Sequence, residues 1–356
     1  MRRPLRSLPF FLPHVVAANI IAGLIQGRPG AFRIIFFAFV ATPYLDWLSG
    51  VDRTAPTAKD QQGLDESLGW KLAIWSWAPI QTALVLGGFL SVRDLPLQDV
   101  IAVGIGVGMA CGIFGVTAAH ELMHGRGSIY RAGSVFVLSL FSYPHFAIEH
   151  VYGHHRNVGT RRDPATARIG ESLYTFLPRS VIGGFRSAWR IETRRLRRVS
   201  GVSLIHNQLF RQYVVLLPIY CAVGYTFGPN GVLMMAVQSF VAVFLLETLN
   251  YVGHYGLVRR QVLPGSYEPI QQRHSWNSSH RVSNWLLFNA GRHSDHHCEP
   301  RRGYLSLRHE SRAPQLPGGY FAMFVLALFP PLWRRIMDPL VPAVPQEDTR
   351  VVEVAR

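Results

Sequence analysis

Residues 97–124, LQDVIAVGIGVGMACGIFGVTAAHELMH, run from an almost uninterrupted apolar segment directly into a pair of histidines. About 20 apolar residues suffice to cross the hydrocarbon core of a bilayer as one helix. His120 and His124, four positions apart, then share one face at the end of that helix. The stretch therefore predicts a membrane-embedded helical protein with a metal-binding site at one end of its bundle. Neutral imidazole is the commonest protein ligand for transition metals.

Working outward, further apolar runs occupy residues 8–27, 31–49, 70–92, 211–227 and 231–252, so with 97–119 about six transmembrane helices are expected. They form three hairpins, the second turning at Arg93-Asp94-Leu95-Pro96 and the third at Gly228-Pro229-Asn230-Gly231. Half of the 356 residues are hydrophobic and only 16% are charged, which argues for a single membrane domain over residues 1–356 rather than several soluble ones. The first run leads straight into a second, so a cleaved signal peptide is not expected. Residues 129–155 are moderately apolar but broken at Pro144, and are expected as a re-entrant or interface-lying helix. Residues 319–333, interrupted by Pro330-Pro331, are expected on the interface, and residues 340–356 as a disordered tail.

The formal charge of +15 is unevenly spread. Fourteen arginines against five acidic residues lie between Glu121 and Tyr213, with a dense run at Arg190, Arg194, Arg195, Arg197 and Arg198. By the positive-inside rule this side faces the cytoplasm, together with Arg2, Arg3 and Arg6, and the protein is placed in the inner, cytoplasmic membrane. Anionic lipid and an acidic protein are the partners such a face suits; no nucleic-acid-reading motif accompanies it, and nucleic acid is not expected.

Two more histidine clusters join the first: His150, His154 and His155 in EHVYGHH, and His293, His296 and His297 in RHSDHH. Alone, HELMH is ambiguous, because HExxH also marks zinc metalloproteases with Glu121 as general base. A protease needs one further ligand, whereas two further clusters are present. Eight imidazoles, or nine with His254 of NYVGHYG, exceed what one ion takes and suit two. Iron is the natural metal if the reaction uses dioxygen; zinc has no redox chemistry. Glu121, Glu149 and Asp295 adjoin the clusters and are expected to orient ligand rings from behind. Asp163, Arg168 and Glu171 either brace the loop after the second cluster or form a surface salt-bridge set. The remaining histidines, His14, His145, His206, His274, His280 and His309, are expected not to bind metal. Cys111, Cys221 and Cys298 have no CxxC spacing and support no iron–sulfur centre in this chain.

The boxes HELMH, EHVYGHH and RHSDHH, with NYVGHYGL and DPATARIGES, resemble the integral-membrane alkane 1-monooxygenases of the fatty acid desaturase superfamily, over about residues 46–300. The resemblance implies an all-α membrane domain of six transmembrane helices with a non-haem site for two iron ions on the cytoplasmic side. It implies terminal hydroxylation of an apolar alkyl substrate with dioxygen, using electrons from a separate rubredoxin and its reductase. The ligands it carries over are His120, His124, His150, His154, His155, His254, His293, His296 and His297. Two positions depart from the family pattern: Gly253, where glutamate is usual, and Ala290-Gly291, where Leu-Gln is usual. The rivals are a fatty acyl desaturase or hydroxylase built on the same site, and a membrane metal transporter or sensor.

Overall fold

The computed structural model describes residues 7–26, 31–57, 60, 64, 68–199 and 203–342. Arg2, Arg3, Arg6 and the tail from residue 343 onward, on which some of the expectations above fall, lie outside the described residues.

Four helical stretches are long and apolar enough to cross a membrane: Leu8–Ile25, Leu68–Val92, Leu97–His124 and Gln208–His254. Helical structure also runs from Ala31 to Ser49, through a π-helical turn at Phe37–Ala41. A straight helix spanning 208–254 would be about 70 Å long, more than twice the ~30 Å hydrocarbon core. It does not run straight. Gly228 has φ 63° and ψ −158°, a conformation open to glycine alone, and the chain folds back there. A Cβ placed on Gly224 would lie 3.5 Å from Val232 Cγ2, whereas residues eight apart on one helix are separated by about 12 Å. The third hairpin expected from the sequence is therefore present, with its turn where Gly-Pro-Asn-Gly was read. Asn230 donates from Nδ2 to the carbonyls of Val92 and Leu95, both at 3.0 Å, and so ties that turn to the one at 93–96.

These turns define one end of the bundle and the histidines the other. At 28 residues, Leu97–His124 is about 42 Å long, so its last turns stand beyond the ~20 residues needed to cross. It packs on the returning arm of the hairpin through Gly104, Gly108 and Gly112, a small residue at every fourth position. A Cβ on Gly108 would come within 2.7 Å of Gln238 O, and one on Gly112 within 2.8 Å of Ala242 Cα, so the two backbones touch.

The segment expected to be re-entrant enters the bundle. Ser128–Ser139 is helical, and Val137, Leu138 and Phe141 at its end are fully buried. Its terminal carbonyls are satisfied by side chains rather than water: Gln81 donates to Val137 O at 3.0 Å, and Gln238 to Leu140 O at 2.7 Å. Gln238 precedes His254 by sixteen residues, about 24 Å along the helix. Non-helical backbone at such depth is tolerated only when buried in protein and hydrogen-bonded. Ser142, at φ 64°, turns the chain, which returns through Phe146–Glu149 to the second histidine cluster.

The stretch 319–333, expected on the interface, falls in two short helices, Tyr320–Ala327 and Pro330–Met337. Phe321, Ala327, Trp333 and Met337 are fully buried, and the Trp333 ring lies tilted against Tyr251 and edge-on to Tyr255. This segment closes the bundle from below the histidines. A two-stranded antiparallel ribbon, Gln261–Leu263 with Ser266–Tyr267, is the sheet among the described residues.

Candidate metal centre

The nine histidines carried over by the resemblance come together in two groups. His120, His124, His150, His155 and His296 form one; His154, His254, His293 and His297 form the other, each with its nitrogens within 4.8 Å of one another. Four segments distant in sequence thus converge at one end of the bundle.

The division within EHVYGHH follows from a π-helical turn. His155 N–H donates to His150 O, an i to i+5 bond, and His150–His154 is π-helical. In an α-helix positions 150 and 154 would share a face; the wider turn instead aligns 150 with 155 and turns 154 away. His150 and His155 enter the group of five and His154 the group of four. A second π-turn, Cys111–Gly115, lies just ahead of HELMH in its helix. Gly115 there sits against Gln81, whose Oε1 accepts from Trp77 Nε1 at 2.9 Å.

The ring nitrogens face one another at metal-site spacing. His155 Nε2 is 3.0 Å from His150 Nε2 and 3.1 Å from His296 Nε2; His293 Nε2 is 2.9 Å from His254 Nε2 and 3.1 Å from His297 Nε2. Nitrogens ~2.1 Å from one ion and at right angles about it are ~3.0 Å apart. His124 Nε2 and His154 Nε2 are buried without a hydrogen-bond partner, which an ion would relieve. Burial, reinforced by the neighbouring rings, pushes His150, His155, His293, His296 and His297 well below the ordinary histidine pKa. They stay neutral at physiological pH, the form that binds metal. The donor set therefore fits two transition-metal ions.

His154 differs. Burial would lower its pKa, but Asp163 outweighs that and raises it; reciprocally, His154 overcomes the effect of burial on Asp163 and holds the carboxyl below its usual range. Asp163 Oδ2 lies 2.9 Å from His154 Nδ1 and accepts from Thr166 Oγ1, while Oδ1 accepts from Ala165 N–H at 3.1 Å. The ring is fixed with Nε2 turned to the group of four. Such partners orient a ligand and raise its basicity. Asp163→Asn should keep the fold and weaken metal retention about 10- to 100-fold, read by competition with a chelator; retention equal to wild type would count against this role.

Of the three carboxylates expected behind the ligands, Glu121 accepts from Tyr304 N–H at 3.1 Å, and Asp295 is paired with Arg302 and accepts from Arg308 N–H. Glu149 is buried under Gly153, and burial raises its pKa to about 8. Asp163, which the sequence suggested as a loop brace or as part of a surface salt-bridge set, bonds directly to a ligand ring. Glu171 does brace that loop: it pairs with Arg179, whose guanidinium also donates to Pro164 O and Thr166 O, and accepts from Arg168 N–H.

Of the other histidines, His14, His145, His274, His280 and His309 bond to Ser76, Tyr213, Glu268, Ser278 and Ser279, and join neither group. Glu247, the acid within the last span, accepts from Tyr143, Ser180 and Asn250.

A small cavity of about 20 Å³ lies against the centre. Val116, Phe146, Leu246, Leu249 and Ala290 give it apolar walls, and His120, His150 and His293 stand at its end. Both groups are thus represented there.

The fatty acid desaturase family profile matches residues 95–327, a span that includes all nine histidines. Among known proteins the chain is 38% identical to alkane 1-monooxygenase 1 of Pseudomonas aeruginosa, over 88% of this chain and 83% of that one. It is 36% identical to alkane 1-monooxygenase 1 of Alcanivorax borkumensis, over 88% and 77%. Identity to the xylene/toluene monooxygenase hydroxylase component XylM of Pseudomonas putida is 32%, over 62% and 59%.

Proposed function

The chain belongs to the fatty acid desaturase family, and from that premise we propose that it is a multi-pass membrane monooxygenase that hydroxylates the terminal methyl group of alkanes or similar alkyl chains. The observation that carries this reading is the apolar cavity ending on imidazoles of both groups. A metal transporter has no need of apolar walls placed against its metal.

Two iron ions are the cofactors the reading requires. His120, His124, His150, His155 and His296 would hold one, and His154, His254, His293 and His297 the other. Iron supplies the reduction of dioxygen and the attack on an unactivated C–H bond, which zinc cannot.

The protein's own residues do the positioning. Val116, Phe146, Leu246 and Leu249 bind an alkyl chain by burying its surface, at about 0.8 kcal/mol per CH₂ group, and exclude water from the reacting end. A chain end held against these walls would lie next to His120, His150 and His293. A substrate dissolved in the bilayer enters without crossing water. Electrons come from a separate carrier, because the cysteines form no metal-binding motif. Rubredoxin with its reductase fits that requirement, and the exposed arginines of Leu173–Val199, at the histidine end of the bundle, suit an acidic partner. The arginine distribution supports placing that end on the cytoplasmic face of the inner membrane.

The test is product analysis. Cells making this chain with a rubredoxin and reductase, fed octane or hexadecane, should yield the 1-alkanol, and yield little without the carrier. A new double bond in a fed fatty acid, with no alkanol, would favour a desaturase instead.

A further inference from the structure

We propose that the protons of the reaction enter at the histidine end of the bundle along Tyr213 and His145, by way of one buried water held between His145 and Glu149. The inference rests on the monooxygenase reading. That reaction turns dioxygen, an alkyl C–H bond, two electrons and two protons into an alcohol and one water, so protons must reach a buried site.

A second cavity, of about 10 Å³, lies beside the one at the metal centre. That is the room one water molecule needs. His145, Glu149, Ser180, Glu247 and Asn250 contribute polar side chains to its lining. Glu247 is already satisfied by Tyr143, Ser180 and Asn250. Two of the lining residues are not. His145 Nε2 and Glu149 Oε1 are buried without a hydrogen-bond partner, on residues each 3% exposed. Buried polar atoms are rarely left so, and an enclosed water is the usual partner. Here it accepts from the ring and donates to the carboxyl.

The cavity has a way in and a way out. On one side His145 Nδ1 is 2.7 Å from the Tyr213 hydroxyl, and Tyr213 is half-buried, two residues beyond the exposed Arg211. Tyr143 and Phe185 pack edge-on against the ring, with centroids 4.2 and 5.4 Å away, and fix it between the two partners. A proton taken from the hydroxyl at Nδ1 is matched by one given to the water from Nε2, the two-ended transfer to which imidazole is suited. On the other side Phe146 and Asn250 line both cavities, and so form the partition towards His120, His150 and His293. Of these two only Asn250 is polar, and the water's proton crosses beside its amide.

The test uses the purified, iron-loaded protein with its electron carrier. An experimental density map that resolves ordered water should show one between His145 and Glu149. His145→Ala should keep its iron and form the 1-alkanol about a hundredfold more slowly than the wild type. Added imidazole should restore much of that rate, a rescue that a purely structural role would not give. Tyr213→Phe, which removes only the hydroxyl, should slow turnover less and enlarge the difference in rate between H₂O and D₂O.

An empty cavity in the density would overturn the proposal. So would wild-type rates in both variants, or a His145→Ala protein that loses its iron or that imidazole fails to rescue. A wild type that holds iron but hydroxylates no alkyl chain would overturn the monooxygenase reading, and the route with it.

Discussion

His154→Ala is expected to reduce the metal content by one ion per chain and to bring hydroxylation below detection. His154 supplies one of only four nitrogens in its group, and no other described histidine is positioned to replace it. The substitution has a second effect. Asp163, fully buried, loses the ring that compensates its charge and keeps only Thr166 and Ala165 as donors. Removing one partner of a buried pair typically costs about 3–5 kcal/mol, so thermal stability should fall along with the metal. The two effects separate in the double variant His154→Ala/Asp163→Ala, which discards the stranded charge. It should recover part of the stability and none of the metal. Metal analysis and thermal unfolding on the same samples decide the matter. Two ions retained by His154→Ala would show that this histidine is not a ligand.

Gly108→Leu is expected to be the most damaging substitution away from the histidines. At this position the Leu97–His124 helix has no room for a Cβ, because the carbonyl of Gln238 would be 2.7 Å away and backbone cannot step aside. The helices must separate. Overpacking of this kind costs about 1–3 kcal/mol and more where nothing can yield. The displacement also travels, since one of these helices ends in His120 and His124 and the other in His254. Fluorescence-detected size exclusion and an unfolding scan should show a lower midpoint or loss of the folded species, with less bound metal. A protein that folds and holds metal as the wild type does would mean that the close approach is not maintained.

Much of this was legible in the sequence, and the rest was hidden for specific reasons. His120 and His124 could be read because i and i+4 share a face of any α-helix, and the hairpin turn because Gly228-Pro229-Asn230-Gly231 is turn chemistry. That the imidazoles serve two groups was also readable, from their number. Which ring goes to which group was not, since that depends on an i to i+5 bond that spacing does not disclose. Asp163 was visible as a loop residue but not as the partner of His154, because that contact requires the chain to double back through Thr160 and Thr166. Gln81 and Gln238 were overlooked altogether. Their signal was present: a lone amide inside an apolar span is costly unless it has a task, here the carbonyls of the re-entrant helix.

The π-turn at His150–His154 carries one further consequence. It amounts to a single residue inserted into a helix, and each residue rotates the rest of the helix by about 100°. Deleting any one of Val151, Tyr152 and Gly153 would restore ordinary winding, with His155 then one α-turn after His150 and still in line with it. A relative that presented the same pair of rings from an ordinary α-helix would therefore carry one residue fewer between its counterparts of His150 and His155.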